Sequence, residues 1–242
     1  MEIAIIQVAV AQHGVIGRRQ VLELGFTARQ VERRLHSGAL VHLARGIYAL
    51  RSSVPTWERT VVAAWLATLE RRHPGALAMR TAAALHGFDG HQRTGAPELV
   101  VADAGRHRNP FGEVSRRRDL DALDVVRHPL GVLVTNPVRT VLDLAMADAR
   151  PGRSERVIDD ALDRGYVTID ELWTRFSRMA DRGKPGTVHV RRVLLKRLPS
   201  ALHHPSGGAL VRSSATRTTA VDRPPAVDFL EAPDDGFVAF HQ

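Results

Sequence analysis

The sequence contains no cysteine. That excludes disulfides, cysteine-ligated zinc, iron–sulfur clusters and thiol catalysis. Aromatic residues make up only 5% of it, so a core has to be assembled from Ala, Leu and Val. Long hydrophobic runs are missing too. The apolar start Ile3-Ala4-Ile5-Ile6 follows no basic segment and soon meets Gln12 and His13. Neither a signal peptide nor a membrane span is expected, and the expected location is cytoplasmic. Lysine is nearly absent, and arginine takes its place, a habit of GC-rich genomes that raises the isoelectric point to about 11.1.

What is present suffices for one large or two small domains: 242 residues, 44% of them hydrophobic. A net charge of +8 favours a polyanionic partner without specifying one. Residues 1–50 hold six Arg and three Glu, a net of +3, so the placement of the cations carries more weight than their number.

The most informative stretch is Gly25 to Gly38. Thr27 is suited to cap a helix N-terminus, and Gly38 stands where a helix end turns left-handed. Ala28, Val31 and Leu35 share one face. Arg29, Gln30, Arg33 and Ser37 lie opposite, with Arg34 and His36 at the flanks. Alone, this is a solvated surface helix or a recognition helix; its neighbours favour the second. Ile3–Gln12 reads as a helix apolar nearly all round, and therefore as one buried on most sides. Val15-Ile16 is extended, and residues 17–24 form a short helix closed by Gly25. Two helices joined by a Gly-containing turn have the order of a helix-turn-helix. Leu40–Leu43 and Ile47–Leu50 flank Ala44-Arg45-Gly46 as a hairpin, the wing of a winged helix. In such a domain Arg29, Gln30 and Arg33 are candidates for base edges, and Arg18, Arg19, Arg34 and Arg45 for phosphates. A winged helix used only to dock protein is the competing reading.

The runs Ala11–Ile16, Leu22–Gly25, Arg33–Leu40 and Arg45–Leu50 resemble the N-terminal domain of AbiEi-family antitoxins of type IV toxin–antitoxin systems. The resemblance implies a DNA-binding repressor of its own operon, with double-stranded DNA and a cognate toxin as partners and no cofactor.

Beyond a short linker, Trp57–Arg72 and Arg80–Phe88 read as helices. Glu98–Val101, Glu113–Arg118, Asp124–His128 and Val132–Val134 read as strands. Thr135 or Asn136 caps a further helix that has Pro137 in its first turn and Val138, Val141, Leu142 and Ala145 inward. The expected fold class is α+β: a winged helix-turn-helix (1–52), a mostly helical domain with a small mixed sheet (53–198) and a low-order tail (199–242). Thr81–Gly87 and Pro137–Ala145 also resemble the middle region of the AbiEi family. Arg139 and Asp143 stand four apart and are expected to pair; a catalytic Arg–Asp couple is the sharper alternative. Basic clusters at 106–118 and 191–197 face solvent, DNA or an acidic partner.

Arg153–Arg164 reads as a helix with Asp159, Asp160 and Asp163 outward, too few fixed ligands for a metal site. Thr168 with Glu171 is a capping box, and Lys184–Leu198 reads as a last helix. From Pro199 the chain is rich in Ser, Thr, Gly, Pro and His without periodicity, the composition of disorder. Similar front ends elsewhere continue into a Vsr-like endonuclease domain. Here only Val227-Asp228-Phe229-Leu230 echoes it, and Asp234-Asp235-Gly236 follows too closely to supply the remaining acidic run. Nuclease activity is therefore not carried over, and the expected function is non-enzymatic. A protein-interaction module and a degenerate nuclease remain as alternatives.

Overall fold

The computed structural model describes residues 2–70, 74–102, 108–147, 152–179 and 186–198. The Arg106–His107 segment, His203-His204, Val227–Leu230 and Asp234–Gly236 lie outside the described residues, as does the predicted low-order tail. Within them the chain is α+β, as expected. The order is α1 (Glu2–Ala11), β1 (Val15–Gly17), α2 (Arg18–Glu23), α3 (Ala28–His36), β2 (Leu40–Ala44), β3 (Ile47–Leu50), α4 (Trp57–Glu70), β4 (Ala76–Leu77), α5 (Met79–Leu85), β5 (Glu98–Val101), β6 (Glu113–Arg116), β7 (Val125–Arg127), β8 (Leu133–Thr135), α6 (Pro137–Ala147), α7 (Arg153–Asp163), α8 (Ile169–Met179) and α9 (Thr187–Leu195). A 3₁₀ turn at Ala122–Asp124 precedes β7. No helix among the described residues is long and apolar enough to cross a membrane.

The front of the chain is a winged helix. β3 is the middle strand of a three-stranded antiparallel sheet, paired with β1 (Ile16 opposite Tyr48) and β2 (Val41 opposite Ala49). Ile16, Val21, Phe26, Val31, Leu40 and Tyr48 close a small core against Ile5 and Ala9 of α1. The expectation that α1 is buried on most sides is corrected here. Ile3, Ile6 and Val10 are exposed, because one small sheet and two short helices cover only one side of a helix that is apolar all round. Ala28 is also exposed rather than inward. Phe26, at the end of the turn, fills the space next to Val31.

β1 and the wing lean on α4, with Val15 and Ile47 sharing a cluster with Val61, Val62 and Leu66. Residues 61–68 of α4 are buried without interruption, so this helix is a central beam. Behind it lies a mixed five-stranded sheet in the order β6-β5-β4-β8-β7. Alternation sorts its side chains. Leu77, Leu99 and Val134 join the α4 cluster, while Ala76 and Val100 join another. The centre of this sheet, β4, is absent from the sequence reading. It has two residues, Ala and Leu, and follows a Pro-Gly pair that signals a stop. Its identity as a strand comes from pairing, Ala76 with Val100 and Leu77 with Val134.

Helices α6–α9 enclose a separate cluster centred on Leu142, Ile158, Leu172, Phe176 and Val190. α6 is capped by Asn136, whose Oδ1 accepts from Arg139 N at 2.8 Å. Its predicted one-sided stripe is corrected: every residue from Arg139 to Met146 is buried. α9 starts later than expected, behind Gly186, which sits at φ +79° against the Met146 carbonyl.

Two histidines join the sheet to the helices. The His86 ring Nε2 lies 2.7 Å from the Thr135 carbonyl oxygen, and the His128 Nε2 lies 3.3 Å from that of Leu85. Burial pushes both pKa values below the ordinary value of 6.5, outweighing those hydrogen bonds. The unfolded chain therefore takes up these protons first. Their contribution to stability is complete above pH 6.5 and declines as the pH falls from there through the folded-state values. Urea midpoints should drop between pH 7.5 and 5.5, and should drop less in a His86→Asn, His128→Asn double variant. A drop of the same size in that variant would show that the histidines are not its source.

Candidate nucleic-acid interface

The helix-turn-helix is shaped by backbone chemistry. α2 stops where the Gly25 amide donates to the Leu22 carbonyl at 2.9 Å and the Phe26 amide to that of Val21 at 3.2 Å. Gly25 has φ +85°, a conformation open to glycine at little cost. α3 starts from a reciprocal capping box. The Gln30 amide donates to Thr27 Oγ1 at 3.3 Å, and the Thr27 amide to Gln30 Oε1 at 2.8 Å. Gln30 therefore holds its own helix. Its side-chain oxygen also accepts from the Thr27 hydroxyl at 3.2 Å. In this rotamer it lacks the open acceptor that a bidentate adenine contact requires.

The outer face of α3 is a single stripe of Arg29, Glu32, Arg33 and His36 at i, i+3, i+4 and i+7, all exposed. Among the described residues, neither the Arg29 nor the Arg33 guanidinium has a hydrogen-bond or ion-pair partner. Glu32 is the member that the sequence reading passed over, although the same spacing rule, applied to polar residues, finds it. A carboxylate there can accept from the cytosine amino group.

The remaining basic candidates divide by what holds them. Arg34 turns back onto the domain, with its guanidinium 4.6 Å from the Phe26 ring centroid and its Nη1 donating to the Gln30 carbonyl at 3.0 Å. Arg19 is occupied at the start of α2. Its amide donates to Glu70 Oε1 at 2.8 Å, and its guanidinium reaches Leu69 O at 3.4 Å and Glu23 at 3.8 Å. Arg18 is half-buried, and its amide ties α2 to the wing through the Gly46 carbonyl at 2.7 Å. Arg45 is exposed at the wing tip.

Glu70 connects these pieces. It comes from the end of α4, caps the Arg19 amide and lies against Gly46, where an added Cβ would stand 3.0 Å from its Oε2. Burial raises its pKa, opposed by the Arg19 hydrogen bond and the charges of Arg19 and Arg18. No local signal could have placed a carboxylate from 50 residues away beside the wing.

The expected Arg139–Asp143 pair forms, but as part of a larger staple. Arg139 Nε donates to Asp143 Oδ2 at 2.9 Å and Nη1 to Asp124 Oδ2 at 2.9 Å. From α8, Arg175 grips both oxygens of Asp124 and donates to the Asp119 carbonyl at 2.8 Å. Burial works against the Asp124 carboxylate, yet the bonds from Arg175 and the Asp121 amide, with the charge of Arg139, hold its pKa below the ordinary value. Asp143 has one full partner and only the Arg117 guanidinium, 3.9 Å away, beside its other oxygen. Burial wins there, and its pKa is raised. Arg139, Asp124 and Asp143 are at most 1% exposed, so no substrate touches them. The arrangement joins the 3₁₀ turn, α6 and α8. Asp159, one of the three outward carboxylates of α7, is bridged by Arg197, whose Nη2 lies 2.6 Å from its Oδ2.

Two regions of the chain match known protein families. Residues 4–51 match the family described as "Transcriptional regulator, AbiEi antitoxin", and residues 74–182 match "AbiEi antitoxin C-terminal domain". Among solved structures, the crystal structure of the RV2827C protein from Mycobacterium tuberculosis is similar. It has 17% sequence identity and a TM-score of 0.48, over 81% of this chain and 80% of that one. No curated protein matches.

Proposed function

This chain belongs to the AbiEi family of antitoxins, and from that premise we propose that it is a transcriptional repressor that binds double-stranded DNA through α3 and the wing. In this reading Arg29 and Arg33 meet base edges in the major groove, Arg45 and Arg18 hold phosphates, and Arg19 and Arg34 contribute through the edge of the same surface. Thr27 and Gln30 present the helix N-terminus rather than reading sequence. The supporting observation is that Arg29 and Arg33, whose guanidinium groups have no partner among the described residues, stand on the open face of a helix capped at its start. The operon that encodes the chain is the proposed target of repression. Residues 53–198 are proposed to neutralise a partner toxin. No step needs a cofactor.

Fluorescence anisotropy with DNA from upstream of the gene tests the reading. Each neutralised phosphate contributes about −0.9 to the slope of log K against log salt, so three or four contacts predict a slope of roughly −3 to −4. A binding constant indifferent to salt would overturn the DNA reading. For the toxin arm, the full chain should co-purify with the product of the neighbouring gene.

A further inference from the structure

We propose that α1 is a self-association surface on which the α1 helix of a second copy of this chain docks antiparallel. Ile5 and Ala9 point into the winged-helix core, at 2% and 0% exposure, while Ile3, Ile6 and Val10 stand open at 69%, 45% and 63%. Among the described residues these are three of the seven large hydrophobic side chains left exposed. Exposed hydrophobics scattered singly need no explanation. Three on one helix, at i, i+3 and i+7, form a stripe.

Charge selects the occupant. α1 carries no cation, and its one ionisable residue, Glu2, stands at its first position, whereas each of α2–α9 carries at least one arginine. An acidic partner or an anionic lipid surface would be met by cations beside the apolar stripe, and here there are none. Two copies of a chain with net charge +8 repel one another wherever cations face. A helix without cations is where they approach with the least repulsion.

The stripe is also self-complementary. About a two-fold axis across the helix, Ile6 faces Ile6 of the second copy and Ile3 faces Val10. The antiparallel arrangement opposes the two helix dipoles favourably. A ten-residue helix is about 15 Å long. A face of that length and about 10 Å wide covers about 150 Å², short of the roughly 800 Å² per partner of a stable dimer. The pair is therefore weak, with the protein monomeric when dilute and dimeric when concentrated.

The absence of cysteine makes a clean test possible. In the full chain, Ile6→Cys should crosslink to itself under mild oxidation at about 0.1 mM protein. The exposed control Ser37→Cys should be about tenfold slower, since contact supplies a millimolar effective concentration. Ile3→Cys should crosslink poorly alone but well when mixed with Val10→Cys. In sedimentation velocity, Ile6→Glu should remain monomeric at concentrations where the unsubstituted chain dimerises, with an unchanged circular dichroism spectrum. Crosslinking at position 6 no faster than at 37 overturns the proposal. Self-crosslinking of Ile3→Cys at the rate of Ile6→Cys overturns the antiparallel arrangement.

Discussion

Replacing Arg139 with alanine is expected to cost about 3–5 kcal/mol of stability, the usual penalty for leaving buried charges without their partner. The substitution leaves Asp143 with only the Arg117 guanidinium, 3.9 Å away, and removes one of the two cations from Asp124, both inside the protein. For a chain of this size the corresponding fall in Tm is about 6–20 °C. Urea denaturation followed by circular dichroism reads the effect. Arg139→Lys should recover only part of it, because an ammonium cannot donate from Nε and Nη1 to two carboxylates held at fixed angles. Arg139→Met combined with Asp143→Leu should recover more than Arg139→Lys, since it removes the ion pair as a unit and leaves Asp124 with Arg175. A loss for Arg139→Ala below 1 kcal/mol would mean that water reaches the carboxylates and that the staple is not a buried one.

Arg29→Ala and Arg33→Ala should leave folding untouched and remove sequence preference. Both side chains are exposed and make no hydrogen bond or ion pair among the described residues, so stability should stay within about 0.5 kcal/mol. A lost bidentate contact to guanine costs about 1–3 kcal/mol of discrimination, roughly a 5- to 150-fold fall in preference for the operator over random DNA. Arg45→Ala should act differently. Binding to both DNAs should weaken alike, with the salt slope shallower by about 1. Equal losses on operator and random DNA in Arg29→Ala would reassign that residue to phosphate. Gln30→Ala is expected to act chiefly by loosening the α3 cap, because its amide oxygen is bonded to Thr27.

The surface that carries these residues is mixed in its electrostatics. Glu70 and Glu23 both contact Arg19, and Glu32 lies between Arg29 and Arg33 in the α3 stripe. Counting arginines in the sequence overstates the free positive charge there, because a carboxylate brought from α4 is invisible to any local count. Arg34 illustrates the same point. Its place in the helix is readable from spacing, but its stacking on Phe26 depends on how the turn aims that ring.

The sequence by itself determined the features whose causes lie within a few residues. These are the Thr27 cap and Gly38 end of α3, the Gly25 turn, the wing around Gly46, the Asn136 start of α6 and the Thr168–Glu171 capping box. Each depends on a hydrogen bond or a backbone angle that neighbouring residues satisfy regardless of the rest of the chain. Tertiary structure alone decided where burial goes. It left half of the apolar α1 in solvent, buried α6 all round including a charged pair, made a two-residue strand the centre of a sheet, and brought Glu70 to the wing. Those outcomes depend on which elements meet across tens of residues. An apolar residue is equally apolar whether or not another element arrives to cover it.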